Sequence, residues 1–401
     1  MIRFIQIAFL SLFCIFGATA QVDTIKPQPP RISLITCHAG SVMYELCGHS
    51  AIRIQLDGQD WVVNYGLFEF QSKNFALKFL KGETDYRVGA YPFDIFMQHY
   101  LSENRRVVEQ QLNLTPSQSW ELLRLLEENL RPENCVYRYN YVKNNCATKP
   151  INLIEKVVND TIAFSQPDIK GAESWTFRDE MRHFHSNYAW YQFGIDLALG
   201  PGIDYTLPTR EKMFAPMALE SMIREATISN SLGNKKPIIL KETIINQGGP
   251  AQLPPTPLIL SPNFIFSFIF VLILMLSIKD IKIRKISRWI DSVIFGCYGL
   301  ASFLLCFLIF ISVNEATSPN YLILLLNPLC FIPAICNRIK KCAKIVTHYH
   351  ILNIVALILL LIILISGIQI GNTALIPLIL TGLTRSATNI YVSRCAVKKQ
   401  K

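Results

Sequence analysis

A thiol and an imidazole carry the most chemistry in this chain. Cys146 closes the stretch YRYNYVKNNC and opens ATKPINLIEKVV, so it stands where an alternating, strand-like run passes through a polar loop into an apolar helix. Backbone N–H groups left unpaired at a helix start, together with the helix dipole, stabilise a thiolate and lower its pKa. A buried structural thiol or a disulfide partner would fill the same position, so the cysteine becomes a nucleophile only if a base reaches it. Of the seven histidines, His38, His49, His99, His183 and His185 precede the strongly apolar C-terminal part. His49 is the best placed, because Gly48 before it permits a tight turn and the strand after it would hold the ring rigidly. Without Cys146 it would be read as a satisfied core histidine.

The elements that must position this pair can be read locally. GHSAIRIQLDGQDWVVNYGLF reads as a hairpin: Ile52, Ile54 and Leu56 alternate with Ala51, Arg53 and Gln55, and Asp57-Gly58 supplies the turn. Alternation puts His49, Ala51 and Arg53 on one face and the Ile/Leu set on the core face. RISLITC and RRVVEQQLNL read as further strands, as does CVYRYNYV. Thr115-Pro116 starts a helix running to about Leu130, with Thr115 as N-cap and proline at the first helical position. The predicted fold class is therefore α+β, a small antiparallel sheet with helices, followed by an all-α membrane domain.

The compartment is written at both ends. MIRFIQIAFLSLFCIFGATA has a short basic head, an apolar run and an Ala18-x-Ala20 ending, which predicts a signal peptide over 1–20, with a retained anchor as the alternative. From Leu258 onward five apolar stretches approach the about 20 residues that cross a hydrocarbon core, at roughly 258–278, 289–313, 320–337, 348–368 and 373–392. The connections KDIKIRKISR and RIKKCAK and the final KKQK are basic, whereas NEATSPN (314–320) and QIGN (369–372) are not. The positive-inside rule then puts the N-terminal domain in the periplasm and the C-terminus in the cytoplasm of an inner-membrane protein. Charge divides the same way: residues 21–257 hold 24 Lys+Arg against 26 Asp+Glu, and residues 258–401 hold 14 against 3. The net +10 thus reflects topology, and nucleic acid is not an expected partner.

Residues 21–245 read as one exported domain and the Pro/Gly/Gln-rich 246–257 as its tether to the membrane domain 258–401. Cys37, Cys47 and Cys135 allow one disulfide in an oxidising compartment, without a choice of pair. No paired C-x-x-C or H-x-x-x-H spacing and no glycine-rich nucleotide loop occurs, so neither a metal nor another cofactor is expected.

Four blocks, GSVMYELCGHSAIRI, WVVNYGLFEF, YRYNYVKNNCATKP and ALGPGIDYTLPTREKMFAPMAL, together resemble the Lnb-type lipoprotein N-acyltransferases. Their exported domain is similar to circularly permuted NlpC/papain-like thiol enzymes; the order His, polar residue, Cys is the reverse of the usual papain order. The resemblance spans most of 33–225 and continues weakly into the membrane part through NYLILLLNPL and LTRSATN. It implies Cys146 as nucleophile and His49 as base and does not fix the third member, for which Asn64 on the neighbouring strand is chosen as orienter of the ring. Asn145 or the Cys146 backbone N–H would be the oxyanion donor, and Arg53 and Tyr65 would touch substrate. The implied reaction moves a fatty acyl chain from a membrane phospholipid, through a cysteine thioester, to the N-terminal amine of a diacylglyceryl-cysteine lipoprotein.

Other readings stay open. A membrane-anchored thiol amidase or peptidase acting on cell-wall peptides would keep the Cys/His pair without needing membrane spans, and a non-catalytic scaffold would need neither residue. Asn64 is also an ordinary turn or edge residue. Arg53 would serve a phosphate headgroup or a surface ion pair equally well. Phe68, Phe70, Phe75 and Phe79 would line a lipid groove or, more commonly, a core. Arg385 and Asn389 are costly in lipid, which suggests a buried role unless they snorkel to the cytoplasmic end.

Overall fold

The computed structural model describes residues 28–68, 74–166, 169–229, 233–249 and 253–398. The expected signal peptide and Phe70 lie outside the described residues.

Strands β1 (Arg31–Cys37), β2 (His49–Leu56), β3 (Gln59–Leu67), β4 (Asp85–Pro92), β5 (Val107–Leu112) and β6 (Val136–Arg138) alternate with helices in the first half of the chain. After a short second sheet of β7 (Thr161–Ala163), β8 (Thr227–Ser229) and β9 (Lys235–Pro237), β10 (Ile239–Asn246) returns to the first. The main sheet is antiparallel throughout, in the order β10-β5-β1-β2-β3-β4-β6. The expected hairpin is there: Leu56 pairs with Gln59 and Ile54 with Trp61. Asp57 and Gly58 turn the chain with φ of 49° and 78°, as a two-residue hairpin turn of right-handed twist demands.

Helices α1 (Phe75–Lys81), α2 (Phe93–Ser102), α3 (Pro116–Leu130) and α4 (Thr148–Val158) surround this sheet. Helix α3 starts as its sequence predicts, with a capping box between Thr115 and Gln118 and Pro116 in the first turn. Leu122, Leu125 and Leu126 from α3 and Ile151 and Ile154 from α4 close over Ile32, Leu34, Ile52 and Ile54. Each fully buried Leu or Ile there is worth about 1.5–3 kcal/mol. The opposite face is a core as well: Ile35, Ala51 and Val62 are covered by Phe96, Met97 and Tyr100 of α2. Reading only the Ile/Leu face of β2 as interior therefore captured half of the sheet. Helices α5 (Phe177–Phe184), α6 (Ala189–Ala198) and α7 (Pro216–Arg224) complete the domain.

In the membrane part, four segments are long and apolar enough to cross a bilayer, Pro262–Ile283, Arg288–Phe310, Glu315–Cys336 and Lys340–Ile365. They contain α8 (Pro262–Ile283), α9 (Arg288–Phe310) and α10 (Ala343–Ile365), and the third is a chain of short helical turns ending in Phe331–Cys336. The expectation of five spans thus meets four that qualify by length and composition. The remaining helix, α11 (Leu375–Lys398), is long but diluted by polar residues. Those residues face inward: fully buried Arg385 donates to Asp291 at 2.7 Å and Asp280 at 3.0 Å, and Asn389 donates to Asp291 at 2.9 Å. Snorkelling of Arg385 is excluded by this burial.

The two non-basic loops dock onto the N-terminal domain. Asn372 donates to Asp196 at 2.8 Å, Arg182 to the Gly371 carbonyl at 3.0 Å and the Ile370 N–H to Asp204 at 2.9 Å. Asp196 and Asp204 are themselves held by buried Arg178 at 3.1 and 2.6 Å. In the other loop Asn320 donates to the Leu197 carbonyl at 3.0 Å, and Lys143 pairs with Glu315 at 2.6 Å. The described part of the tether is pinned rather than loose, with Thr256 N–H bonded to the Asn187 carbonyl at 3.0 Å.

Candidate active site at the end of the sheet

Three side chains distant in sequence meet where β2 begins and β3 ends. Gly48 has φ of 81°, and a Cβ on it would stand 2.7 Å from the Cys37 carbonyl oxygen. This turn, which only glycine makes without strain, delivers His49 onto the sheet. On the neighbouring strand buried Asn64 places its Oδ1 2.6 Å from His49 Nε2. That bond fixes the ring and leaves Nδ1 for the partner on its other side. The partner is Cys146, two residues ahead of α4 and hydrogen-bonded to the imidazole. Gly66 beside it has φ of 88°, a backbone conformation that favours glycine, while a Cβ there would make only ordinary contact with Cys146 Cβ at 3.5 Å.

The electrostatics of the pair oppose its burial. Desolvation alone would raise the Cys146 pKa, but the charge and hydrogen bond of His49, with the backbone N–H groups of Ser50 and of Cys146 itself, bring it below the ordinary thiol value. Desolvation likewise pulls His49 down, and Cys146 and Asn64 more than offset it, so the imidazole is raised. Both directions favour a thiolate beside an imidazolium. Ser50 N–H is a contributor that sequence reasoning missed, since a backbone donor has no residue signature.

The remaining expected site residues have other work. Both Asn145 side-chain N–H bonds are spent, on the carbonyls of Tyr141 at 2.6 Å and Phe214 at 2.8 Å. Its Oδ1 accepts from the N–H groups of Ala147 and Thr148 at 2.8 and 2.9 Å, so the Asn145 side chain ties down the turn that enters α4 and has no N–H left for an oxyanion. Of the two expected oxyanion donors only the Cys146 N–H remains available in this arrangement. Tyr65 is 1 % exposed, below the sheet, with its hydroxyl accepting from Asn129 at 2.8 Å, and burial pushes its pKa to about 12. It lies in the core and not on a substrate surface. Arg53 makes two bonds to Asp60, at 2.9 and 2.6 Å, one to Glu109 at 3.0 Å, and stacks 3.5 Å over Phe93. Its guanidinium is committed to the fold, which decides between its two readings.

Beside Cys146 runs an aromatic wall. Tyr86 packs on Tyr139 at 4.0 Å and on Phe68 at 5.0 Å, and Phe68 continues to Phe75 and Phe79 of α1. Burial first, and then the Cys146 charge, push Tyr86 to about 12. Helix α1 has no buried residue, and Leu77 and Phe79 are about half exposed. Phe79 therefore belongs to a surface and not to a core. The Lys81 carbonyl accepts from the Val313 N–H at 2.8 Å, which sets α1 against the membrane domain.

Among the described residues all cysteines are free, including Cys37, Cys47 and Cys135, so no disulfide competes for Cys146. One carboxylate–imidazole group, Glu45, His99 and Glu103, is close enough to hold a cation, but Arg105 already lies 3.1 Å from Glu45 and 3.3 Å from Glu103.

A domain that brings Cys146, His49 and Asn64 together at a sheet end and is bonded to a bundle of apolar helices has the build of a membrane-attached protein. The chain belongs to the Lnb-type family: residues 18–176 match the Lnb N-terminal periplasmic domain and residues 255–397 the Lnb transmembrane domain. No curated protein and no solved structure matches it. Membership suggests an acyltransferase-like role and makes the N-terminal domain the family's periplasmic one.

Proposed function

We propose that the protein is a lipoprotein N-acyltransferase working through a Cys146 thioester, with five membrane spans of which α11 is the last. The observation that carries this reading is the Cys146–His49–Asn64 chain, whose thiol is lowered and whose imidazole is raised, held by a domain bonded to the loops between apolar helices. Cys146 thiolate attacks the ester carbonyl of a phospholipid. The Cys146 backbone N–H supports the oxyanion, and the His49 imidazolium gives its proton to the departing alkoxide, releasing a lysophospholipid and leaving a thioester. The amine of a diacylglyceryl-cysteine N-terminus then attacks the thioester, His49 takes the amine proton, and the thiolate leaves as an amide forms. Asn64 keeps the ring aimed through both halves. The aromatic wall and α1 supply the apolar surface for the acyl chain, beside the membrane that contains the donor. This assignment puts α1, the 314–320 loop and the 369–372 loop on the periplasmic side of the inner membrane and the C-terminus in the cytoplasm, in accord with the basic connections.

The test is a reconstitution of the purified chain with phospholipid vesicles and a synthetic diacylglyceryl-cysteine peptide. Triacylated peptide and lysophospholipid are expected in equal amounts, with both lost in Cys146→Ala and in His49→Ala. Release of free fatty acid without amide would instead mean a lipase, and activity surviving Cys146→Ala would refute the thioester.

A further inference from the structure

A cavity of about 110 Å³ lies between α5 and α7, and most of its lining, from Glu180 to Ser221, falls between the two family matches. Trp175, Phe184 and Met217 form its apolar walls, and Glu180, His183 and Ser221 its polar lining. Glu180 is only 3 % exposed, and its Oε2 has no hydrogen-bond partner. The charge of Lys212 reaches Glu180, but its N–H bonds go to the carbonyls of Ala172 and Glu173, at 2.8 Å each. A carboxylate left so is costly unless a cation completes it. The Ser221 hydroxyl donates to the Ala218 carbonyl at 2.9 Å, so its oxygen is left to accept. Partial desolvation lowers the His183 pKa, which favours the neutral ring, whose unprotonated nitrogen is a further acceptor in the lining. Glu180, Ser221 and His183 thus put three acceptor side chains in one lining, the number of N–H bonds on a primary ammonium, and the Trp175 ring lies in the same lining, 5.1 Å from that of His183.

The cavity also adjoins the thiol site. Met217 bonds through its N–H to the Cys47 carbonyl at 3.3 Å, and its Cγ stands 3.1 Å from where a Gly48 Cβ would be. Ligand in the cavity would thus touch the support of the turn that carries His49.

We propose that the Glu180 cavity binds the primary ammonium group of one of the two substrates, the headgroup of an aminophospholipid donor or the α-amine of the lipoprotein acceptor. The identity of that substrate rests on the acyl-transfer reading, but ammonium binding itself does not. Burial raises the Glu180 carboxyl to about 8 against the opposing charge of Lys212, so it is largely neutral at pH 7; a bound ammonium would restore its charge.

The first experiment is isothermal titration of the full chain carrying Cys146→Ala, in detergent, with ethanolamine and with its uncharged analogue ethylene glycol. Ethanolamine should bind and ethylene glycol should not. Glu180→Gln, isosteric with the neutral acid and so expected to keep the unfolding midpoint, should weaken ethanolamine binding at least tenfold; Ser221→Ala should weaken it less. No ethanolamine binding, or equal binding by Glu180→Gln, overturns the proposal whatever the catalytic reaction proves to be. In the protein with Cys146 intact, loss by Glu180→Gln of a preference for phosphatidylethanolamine over phosphatidylglycerol in the acylation half identifies the headgroup as the ligand. Normal acylation with slowed transfer to the peptide identifies the acceptor amine. No change in either half would overturn the assignment to a substrate.

Discussion

At the residue scale the account rests on a charge pair and its orienting amide. Cys146 is lowered from the ordinary thiol value and His49 raised from the ordinary imidazole value, and both directions favour the thiolate–imidazolium state. Acylation should rise with pH as Cys146 ionises, starting below the pH at which a free cysteine would, and fall as His49 loses its proton above the usual imidazole pKa. Alkylation of Cys146 by iodoacetamide followed against pH checks the first limb, and Asn64→Ala should move it toward the free-thiol value while cutting acylation about 10²-fold, within the range of losses of positioned acid–base function. An alkylation profile indistinguishable from that of a free thiol would remove the pair. That Cys146, His49 and Asn64 would meet was legible because a helix start, a glycine turn and a hairpin register each have local signatures. Asn145 was misread because its decisive partner, the Phe214 carbonyl, is 69 residues away. Arg53 was left undecided for the same reason, its partner Glu109 lying 56 residues on.

At the scale of elements, the site depends on two left-handed glycines and the turn that enters α4. Gly48→Ala combines a positive φ with a contact of 2.7 Å to backbone, so at least about 1–2 kcal/mol of stability should be lost in thermal unfolding, together with acylation. Thr115→Ala removes one half of the α3 capping box far from the thiol; it should cost about 1 kcal/mol and leave acylation intact. The contrast between the two separates damage to the fold from damage to the site. The hairpin, α3 and the start of α4 follow their sequence signals, since turn and cap residues are local. The second core beneath α2 was not visible from β2 alone, because Ala51 is small and flanked by His49 and Arg53, and only the packing of Phe96 and Met97 makes that face interior. The third membrane segment was drawn as one helix but is cut by Asn320, Asn327 and Pro328, each standing at the start of a short turn.

At the scale of the whole molecule, buried ions bind the two domains. Arg178, 0 % exposed, holds Asp196 and Asp204, and those carboxylates receive Asn372 and the Ile370 N–H from the membrane domain. Removing one member leaves a buried charge unpaired, so Arg178→Ala should cost about 3–5 kcal/mol and expose the interface to protease. Asn372→Ala breaks only the bridge: the fold should survive while acylation from vesicles falls several-fold and acylation from a short-chain soluble ester does not. Equal loss on both substrates would mean that docking does not serve access to the bilayer. The direction of this arrangement was legible from two non-basic loops among basic ones, but the residues of the clamp were not, because Arg178, Asp196 and Asp204 have no spacing that distinguishes a bridge from a solvated surface. The most direct test of the central claim is intact-mass measurement of the chain after incubation with phospholipid vesicles. The account predicts a fatty-acyl increment on wild type that hydroxylamine removes and Cys146→Ala lacks; no increment while the Cys146 thiol is demonstrably free, or an increment that survives the substitution, would contradict it.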